Sequence, residues 1–197
     1  MSDKKNLTVK EAFALAVQNH QNNNLQDAQN YYQKVLKIEP NNTPTLNNLG
    51  VIFKKLGDLQ KAKDCYEQAI KINPNYADAH NNLGNIFNGL GDLQKAKDCY
   101  EQAIKINPNY ADAHNNLGVI FKKLGEHQKA KTCYEKVLEI DPNHIQVLNN
   151  LGTIFKELKD YQKAKECYEK AIELNPDLFD ALRNIADLYV SQLTDFE

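Results

Sequence analysis

What this chain lacks removes most functional classes before any motif is considered. No apolar run reaches the roughly 18 to 20 residues that span a bilayer, and Met1-Ser2-Asp3-Lys4-Lys5-Asn6 leads into a polar stretch without the apolar core of a signal peptide. Neither sign of charge dominates: 24 Lys+Arg stand against 26 Asp+Glu, a net charge of -2. Without basic clusters the electrostatic footprint that nucleic-acid binding needs is missing. There is no Cys-x-x-Cys and no His/Cys pair at metal-ligand spacing. Nor is there a Ser/His/Asp set, a glycine-rich phosphate loop after a strand, or a convergence of carboxylates. The expectation is a cytoplasmic, non-enzymatic protein with no cofactor, no metal, no nucleic-acid partner and no membrane partner.

What is present is a period. Cys65, Cys99, Cys133 and Cys167 recur every 34 residues, as do Gly50, Gly84, Gly118 and Gly152, and Pro40, Pro74, Pro108, Pro142 and Pro176. Gly57 to Gly84 is identical, residue for residue, to Gly91 to Gly118. Cysteines in equivalent places of stacked units lie roughly 10 Å or more apart, beyond the ~7 Å that a disulfide can bridge, and are expected to be free thiols.

Within the unit that opens at Thr43, apolar residues fall at Leu46, Leu49, Ile52, Phe53 and Leu56, then at Leu59, Ala62, Tyr66, Ala69, Ile70 and Ile72. Steps of three and four predict two amphipathic helices. Thr43 is expected to cap the first helix, with Pro44 behind it. Gly57 and Asp58 read as a left-handed C-cap followed by an N-cap, and Asn73-Pro74 ends the second helix. The units run over residues 9–42, 43–76, 77–110, 111–144 and 145–178, followed by a lone helix from about Phe179 to Leu193. So short a hairpin cannot bury its apolar face alone, so the units are expected to stack as one domain over residues 1–197.

These residues resemble the tetratricopeptide repeat family. In the unit from Ala111 the matching positions are His114, Leu117, Gly118, Phe121, Ala130, Tyr134, Val137 and Pro142. The resemblance covers residues 9–193. It implies an all-α, right-handed superhelical solenoid of helix-turn-helix repeats that acts as a protein-protein interaction scaffold, binding an extended peptide or partner protein in a concave groove.

Each repeated column has a structural reading. Glycine inside a helix costs about 0.5 to 1 kcal/mol against alanine, so the Gly50 column implies a close helix crossing, with Ala16 and Ala186 in the same place. Phe53, Phe87, Phe121, Phe155 and Tyr189, with Tyr32, Tyr66, Tyr100, Tyr134 and Tyr168, are expected in the core. His80 and His114 are read as packed imidazoles.

Asparagine is the exception. Nine of the chain's 25 fall in two columns, Asn47, Asn81, Asn115 and Asn149, then Asn48, Asn82, Asn116, Asn150 and Asn184. A mediocre helix former in mid-helix is not there for helicity. A carboxamide both donates and accepts, so a ladder of them can hydrogen-bond successive peptide groups of an extended chain. The second column resembles the asparagine ladder of the tetratricopeptide domain of O-linked N-acetylglucosamine transferases. The competing reading is that the Asn pairs bridge adjacent first helices. Lys54-Lys55, Lys122-Lys123 and Lys156 follow the ladder and Asp78, Asp112 and Asp180 precede it, so Lys54 and Lys122 join the candidate peptide-binding residues. Acids first and bases last also complement the helix dipole. The carboxylate clamp of heat-shock chaperone co-factors is not reproduced. In the unit at 77–110, Asn85, Asn88 and Gly89 replace Val51, Lys54 and Lys55, which makes a neutral, roomier middle.

At the ends, Thr8 with Glu11 forms a capping box, and Asn22-Asn23-Asn24 replaces Leu56-Gly57-Asp58. Leu193 to Glu197 resembles the opening of a further second helix. The expectation is therefore either a terminal cap or a chain continuing past Glu197, in which case these repeats would be the substrate-recognition arm of a larger enzyme such as a group transferase. The exposed last helix is expected to support weak homo-oligomers.

Overall fold

The computed structural model describes residues 7–194, with side-chain surroundings through residue 190. The reading of residues 195–197 as the start of another helix lies outside the described residues. Eleven helices and no strand are found among the described residues. They are α1 (Val9–Gln21), α2 (Leu25–Ile38), α3 (Thr43–Lys55), α4 (Leu59–Ile72), α5 (Ala77–Gly89), α6 (Leu93–Ile106), α7 (Ala111–Lys123), α8 (His127–Ile140), α9 (Ile145–Glu157), α10 (Tyr161–Leu174) and α11 (Phe179–Thr194). The chain divides into two compact units, Met1–Ile106 and Asn107–Glu197. Each is a run of helical hairpins whose second helix also packs on the first helix of the next hairpin: α2 on α3 and α4 on α5 in one unit, α8 on α9 and α10 on α11 in the other.

Local chemistry sets the helix ends. Gly57, Gly91 and Gly125 take φ of 82°, 80° and 74°, the left-handed turn that a Cβ resists. Asn23 at 59° and Lys159 at 60° take the same turn without glycine. Asp58 then accepts from the Lys61 amide at 3.1 Å, and Asp160 from that of Lys163 at 3.3 Å. Thr8 and Glu11 form the reciprocal capping box. The cap of α3 differs from expectation. Asn42 holds it, accepting from the Thr45 amide at 3.0 Å and the Thr45 hydroxyl at 2.7 Å, while Thr43 is already helical. Asn outranks Thr as an N-cap.

The crossing inside each hairpin explains the glycine column. A Cβ on Gly50 would lie 2.5 Å from Tyr66 Cε1; on Gly84, Gly118 and Gly152 it would lie 2.6, 2.7 and 2.6 Å from the rings of Tyr100, Tyr134 and Tyr168. All five tyrosines of that column are fully buried. Ala16 is buried at the same crossing in the first hairpin, whereas Ala186 on α11, on which no later helix packs among the described residues, is exposed.

Histidine and proline fix the turns between hairpins. His80 Nε2 donates to the Pro74 carbonyl and His114 Nε2 to that of Pro108, each at 2.9 Å. The side chains of Asn73, Asn107, Asp141 and Asn175 accept from the amide two residues on at 3.1 to 3.2 Å. Cys65, Cys99, Cys133 and Cys167 are free thiols, partly or fully buried.

Candidate functional site

The asparagine columns stand on the first helices. Their side chains are engaged with one another across those helices. In the first unit Asn82 Nδ2 on α5 donates to Asn47 Oδ1 on α3 at 2.9 Å. In the second, Asn184 Nδ2 on α11 donates to Asn149 Oδ1 on α9 at 3.0 Å. The partners are 35 residues apart in sequence, one repeat plus one residue, so Asn82 and Asn184 each reach back to the first column of the hairpin before, whereas the equivalent oxygen of Asn115 has no hydrogen-bond partner. Asn47 and Asn81 are buried, at 6% and 5% exposure. The spacing puts both columns on an open face, and the structure sinks these two beneath it. Asn48, Asn82, Asn115, Asn116, Asn149, Asn150 and Asn184 stay partly exposed.

This bridge has a chemical consequence. Using one Nδ2 hydrogen on the neighbouring helix fixes the carboxamide plane and keeps the other N–H and the oxygen of Asn82 and Asn184 for an outside partner. A rung held in this way presents a donor and an acceptor at a set orientation.

The lysines of the first two turns of the second helices are paired within their own helix: Lys61 with Asp58 at 2.7 Å, Lys63 with Glu67 at 3.6 Å, Lys131 with Glu135 at 3.5 Å, Lys163 with Asp160 at 2.9 Å, and Lys129 with Glu126. Among the described residues, Lys54, Lys55, Lys122 and Lys156 on first helices make no ion pair. On the acidic side, Asp180 pairs with Arg183 at 3.0 Å. Gly89, in the place of Lys55, would have nothing within 4 Å of an added Cβ, so the side of α5 there is open.

Two features escaped the sequence reading. The second-helix lysines lie over the aromatic column: Lys63 and Lys95 sit 5.8 and 5.4 Å from the Phe87 ring centre, and Lys131 and Lys163 sit 5.7 and 5.5 Å from that of Phe155. Their 34-residue period, Lys61, Lys95, Lys129 and Lys163, was the available signal. The other is the tyrosine hydroxyl. Tyr100 donates to Asn85 Oδ1 at 2.8 Å and Tyr168 to Thr153 Oγ1 at 3.3 Å, and Asn48 stands beside the Tyr32 hydroxyl, whereas the buried hydroxyls of Tyr66 and Tyr134 have no partner. Asn85 and Thr153 fill the column that Val17, Val51 and Val119 fill elsewhere.

Among the described residues no group of three or more His, Cys, Asp or Glu is placed to hold a metal ion, and no helix is long and apolar enough to cross a membrane.

Helical hairpins of 34 residues, crossed at a glycine and a tyrosine and stacked with each second helix on the next first helix within a unit, define a repeat module. Tetratricopeptide repeat profiles match residues 13–42, 44–76, 65–98, 84–125 and 109–177, and the chain belongs to the tetratricopeptide repeat family. No curated protein matches the chain. Among solved structures it is similar to MamA, at 28% identity and a TM-score of 0.71 over 85% of this chain and 92% of that one. It is also similar to YrrB, described as a tetratricopeptide protein with an unusual peptide-binding site, at 24% identity and a TM-score of 0.71 over 89% and 91% of the two chains. A thermophilic tetratricopeptide protein of Thermus thermophilus matches at 22% identity and a TM-score of 0.69 over 93% of this chain and all of that one. The last two likenesses speak to fold alone.

Proposed function

We propose that this protein is a non-enzymatic scaffold that holds an extended peptide, or an extended segment of a partner protein, along its first helices. The observation that carries the reading is the bridged asparagine rung. The Asn48, Asn82, Asn116, Asn150 and Asn184 column faces the ligand, with Asn47 and Asn149 holding Asn82 and Asn184 from behind. Asparagines that recur with every repeat suit a ligand that recurs with every peptide group, and reading the backbone leaves ligand side chains free to vary. Lys54, Lys122 and their neighbours add selection and faster association more than affinity.

The test is the triple variant Asn82→Ala, Asn116→Ala, Asn150→Ala, assayed by fluorescence anisotropy against a library of unstructured peptides. Each lost hydrogen bond is worth roughly 0.5 to 1.5 kcal/mol, so three weaken every ligand by about tenfold or more. Circular dichroism checks the fold, which loses the Asn82 bridge to Asn47 but gains helix propensity. Reversing Lys54, Lys55, Lys122 and Lys123 to Glu changes which peptides bind and their salt dependence. If the triple variant binds as wild type while the lysine variant binds nothing, recognition is electrostatic and the ladder is a solvated surface.

A second reading, self-association through α11, is favoured by one surface. Phe179 is 80% exposed, and Leu182, Tyr189 and Val190 are exposed on the same helix. Leu188 is fully buried and is no probe of that face. Leu182→Asp with Val190→Asp abolishes concentration-dependent sedimentation if α11 is the contact.

A further inference from the structure

In the first unit, α1, α2 and α3 enclose a cleft of about 350 Å³ lined by Val17, His20, Gln21, Tyr32, Asn48 and Lys55. Its polar lining is made of donors. Lys55 offers an ammonium, Asn48 and Gln21 offer carboxamide N–H groups, His20 a ring N–H and Tyr32 a hydroxyl; no carboxylate lines it. Lys55 makes no ion pair among the described residues. Tyr32 is fully buried in the wall of the cleft, with Asn48 beside its hydroxyl. A donor-lined, acid-free cleft with an unneutralised ammonium lacks one thing, an anionic acceptor.

We infer that this cleft takes the side-chain carboxylate of an Asp or Glu in the bound peptide, with Lys55 as the charge partner and Asn48, His20 and Gln21 as the flanking donors. The inference rests on the peptide-binding reading and adds a charge to it. Asn48 belongs to the ladder column, so a backbone held on the rungs carries its side chains past the mouth of the cleft. The change on α5 bounds the preference: Asn88 and Gly89 replace the lysine pair of α3, so the carboxylate is recognised at α3 and a neutral residue follows.

The electrostatics of His20 supply an independent readout. Burial, and then the Lys55 ammonium, hold its pKa below the usual histidine range. The groups facing it are Lys55 from α3 and Tyr32 from α2, whose ring lies 6.4 Å away, edge to face. A carboxylate bound between His20 and Lys55 reverses the sign of the local field, so the His20 titration moves to higher pH.

The experiment compares two fluorescein-labelled, C-terminally amidated, unstructured peptides that differ only by Glu→Gln at every acidic position. On the wild-type protein at low salt, the Glu peptide is expected to bind about tenfold tighter than its Gln twin. Lys55→Gln abolishes that preference. Lys61→Gln, which removes an exposed lysine already paired with Asp58 on α4, preserves it. Proton NMR of the His20 ring shows the upward shift with the Glu peptide alone. Equal binding of the twins overturns the carboxylate assignment and leaves the ladder standing. So does a preference that survives Lys55→Gln. A preference seen only with a free C-terminal carboxylate assigns the cleft to chain ends and overturns the proposal as stated. If neither twin binds, the peptide-binding reading falls and takes this inference with it.

Discussion

Helices α4 and α6 have the same sequence, Leu-Gln-Lys-Ala-Lys-Asp-Cys-Tyr-Glu-Gln-Ala-Ile-Lys-Ile, and the same fold, yet their tyrosines end differently. Tyr100 on α6 donates to Asn85, whereas Tyr66 on α4 has a buried hydroxyl with no partner. The helix itself carries no difference. The cause lies on the facing first helix, which carries Val51 and Lys54 in one hairpin and Asn85 and Asn88, both beside the Tyr100 hydroxyl, in the other. The same rule divides the second unit: Thr153 accepts from Tyr168, and Val119 leaves Tyr134 unpaired. An unmet buried hydroxyl costs about 1 to 3 kcal/mol, so these hairpins share a crossing but not its energetics.

The largest test breaks the crossing itself. Gly118→Leu forces a full side chain into the Tyr134 ring and is expected to cost about 3 kcal/mol, at the top of the overpacking range. An unchanged urea midpoint would refute the close-approach account of the glycine column. A finer version uses alanine. Gly84→Ala and Gly50→Ala each bring a Cβ within 2.6 Å of a ring, but Tyr100 is tethered by Asn85 and cannot retreat as Tyr66 can. Overpacking of about 1 to 3 kcal/mol is expected for Gly84→Ala and less for Gly50→Ala. Ala16 already sits opposite Tyr32 in the first hairpin.

Exchanging the deciding residue comes next. Asn85→Val removes the acceptor of the Tyr100 hydroxyl and is expected to lower stability by about 1 kcal/mol. Val51→Asn gives Tyr66 an acceptor and is expected to raise stability by about 0.5 to 1 kcal/mol. Chemical denaturation of the two single variants and the double swap reads both. If neither moves stability in its stated direction, the column does not control the tyrosine.

The smallest effect is one of pH. Burial, aided by Asp64 and Asp98 respectively, pushes the Cys65 and Cys99 thiols up to about 11. A thiol raised on folding favours the native state while it is protonated. That contribution is present below the ordinary thiol value of 9.0 and is lost as pH rises from there toward about 11. Urea midpoints should fall over that window in the wild-type protein and fall less in Cys65→Ala, Cys99→Ala. Because α4 and α6 are identical, alkylation at pH 8 should be equally slow at both thiols.

The 34-residue period, the glycine and proline punctuation and the steps of three and four in the apolar residues fixed the hairpins, their order and the burial of the Tyr32 to Tyr168 column. These are local rules: helix periodicity, a left-handed turn and a residue held out of the helix before proline act through near neighbours in the chain. The asparagine columns were visible for the same reason. That Asn47 and Asn81 sink between helices, that Asn82 reaches back to Asn47, and that Lys63 lies over Phe87 depend on groups 24 to 35 residues apart meeting across stacked hairpins. A period says that such columns repeat, but not which of two adjacent columns faces its neighbour. That choice is made by the angle at which one hairpin rests on the next, and the packing of each second helix against the following first helix, as of α4 against α5, sets it.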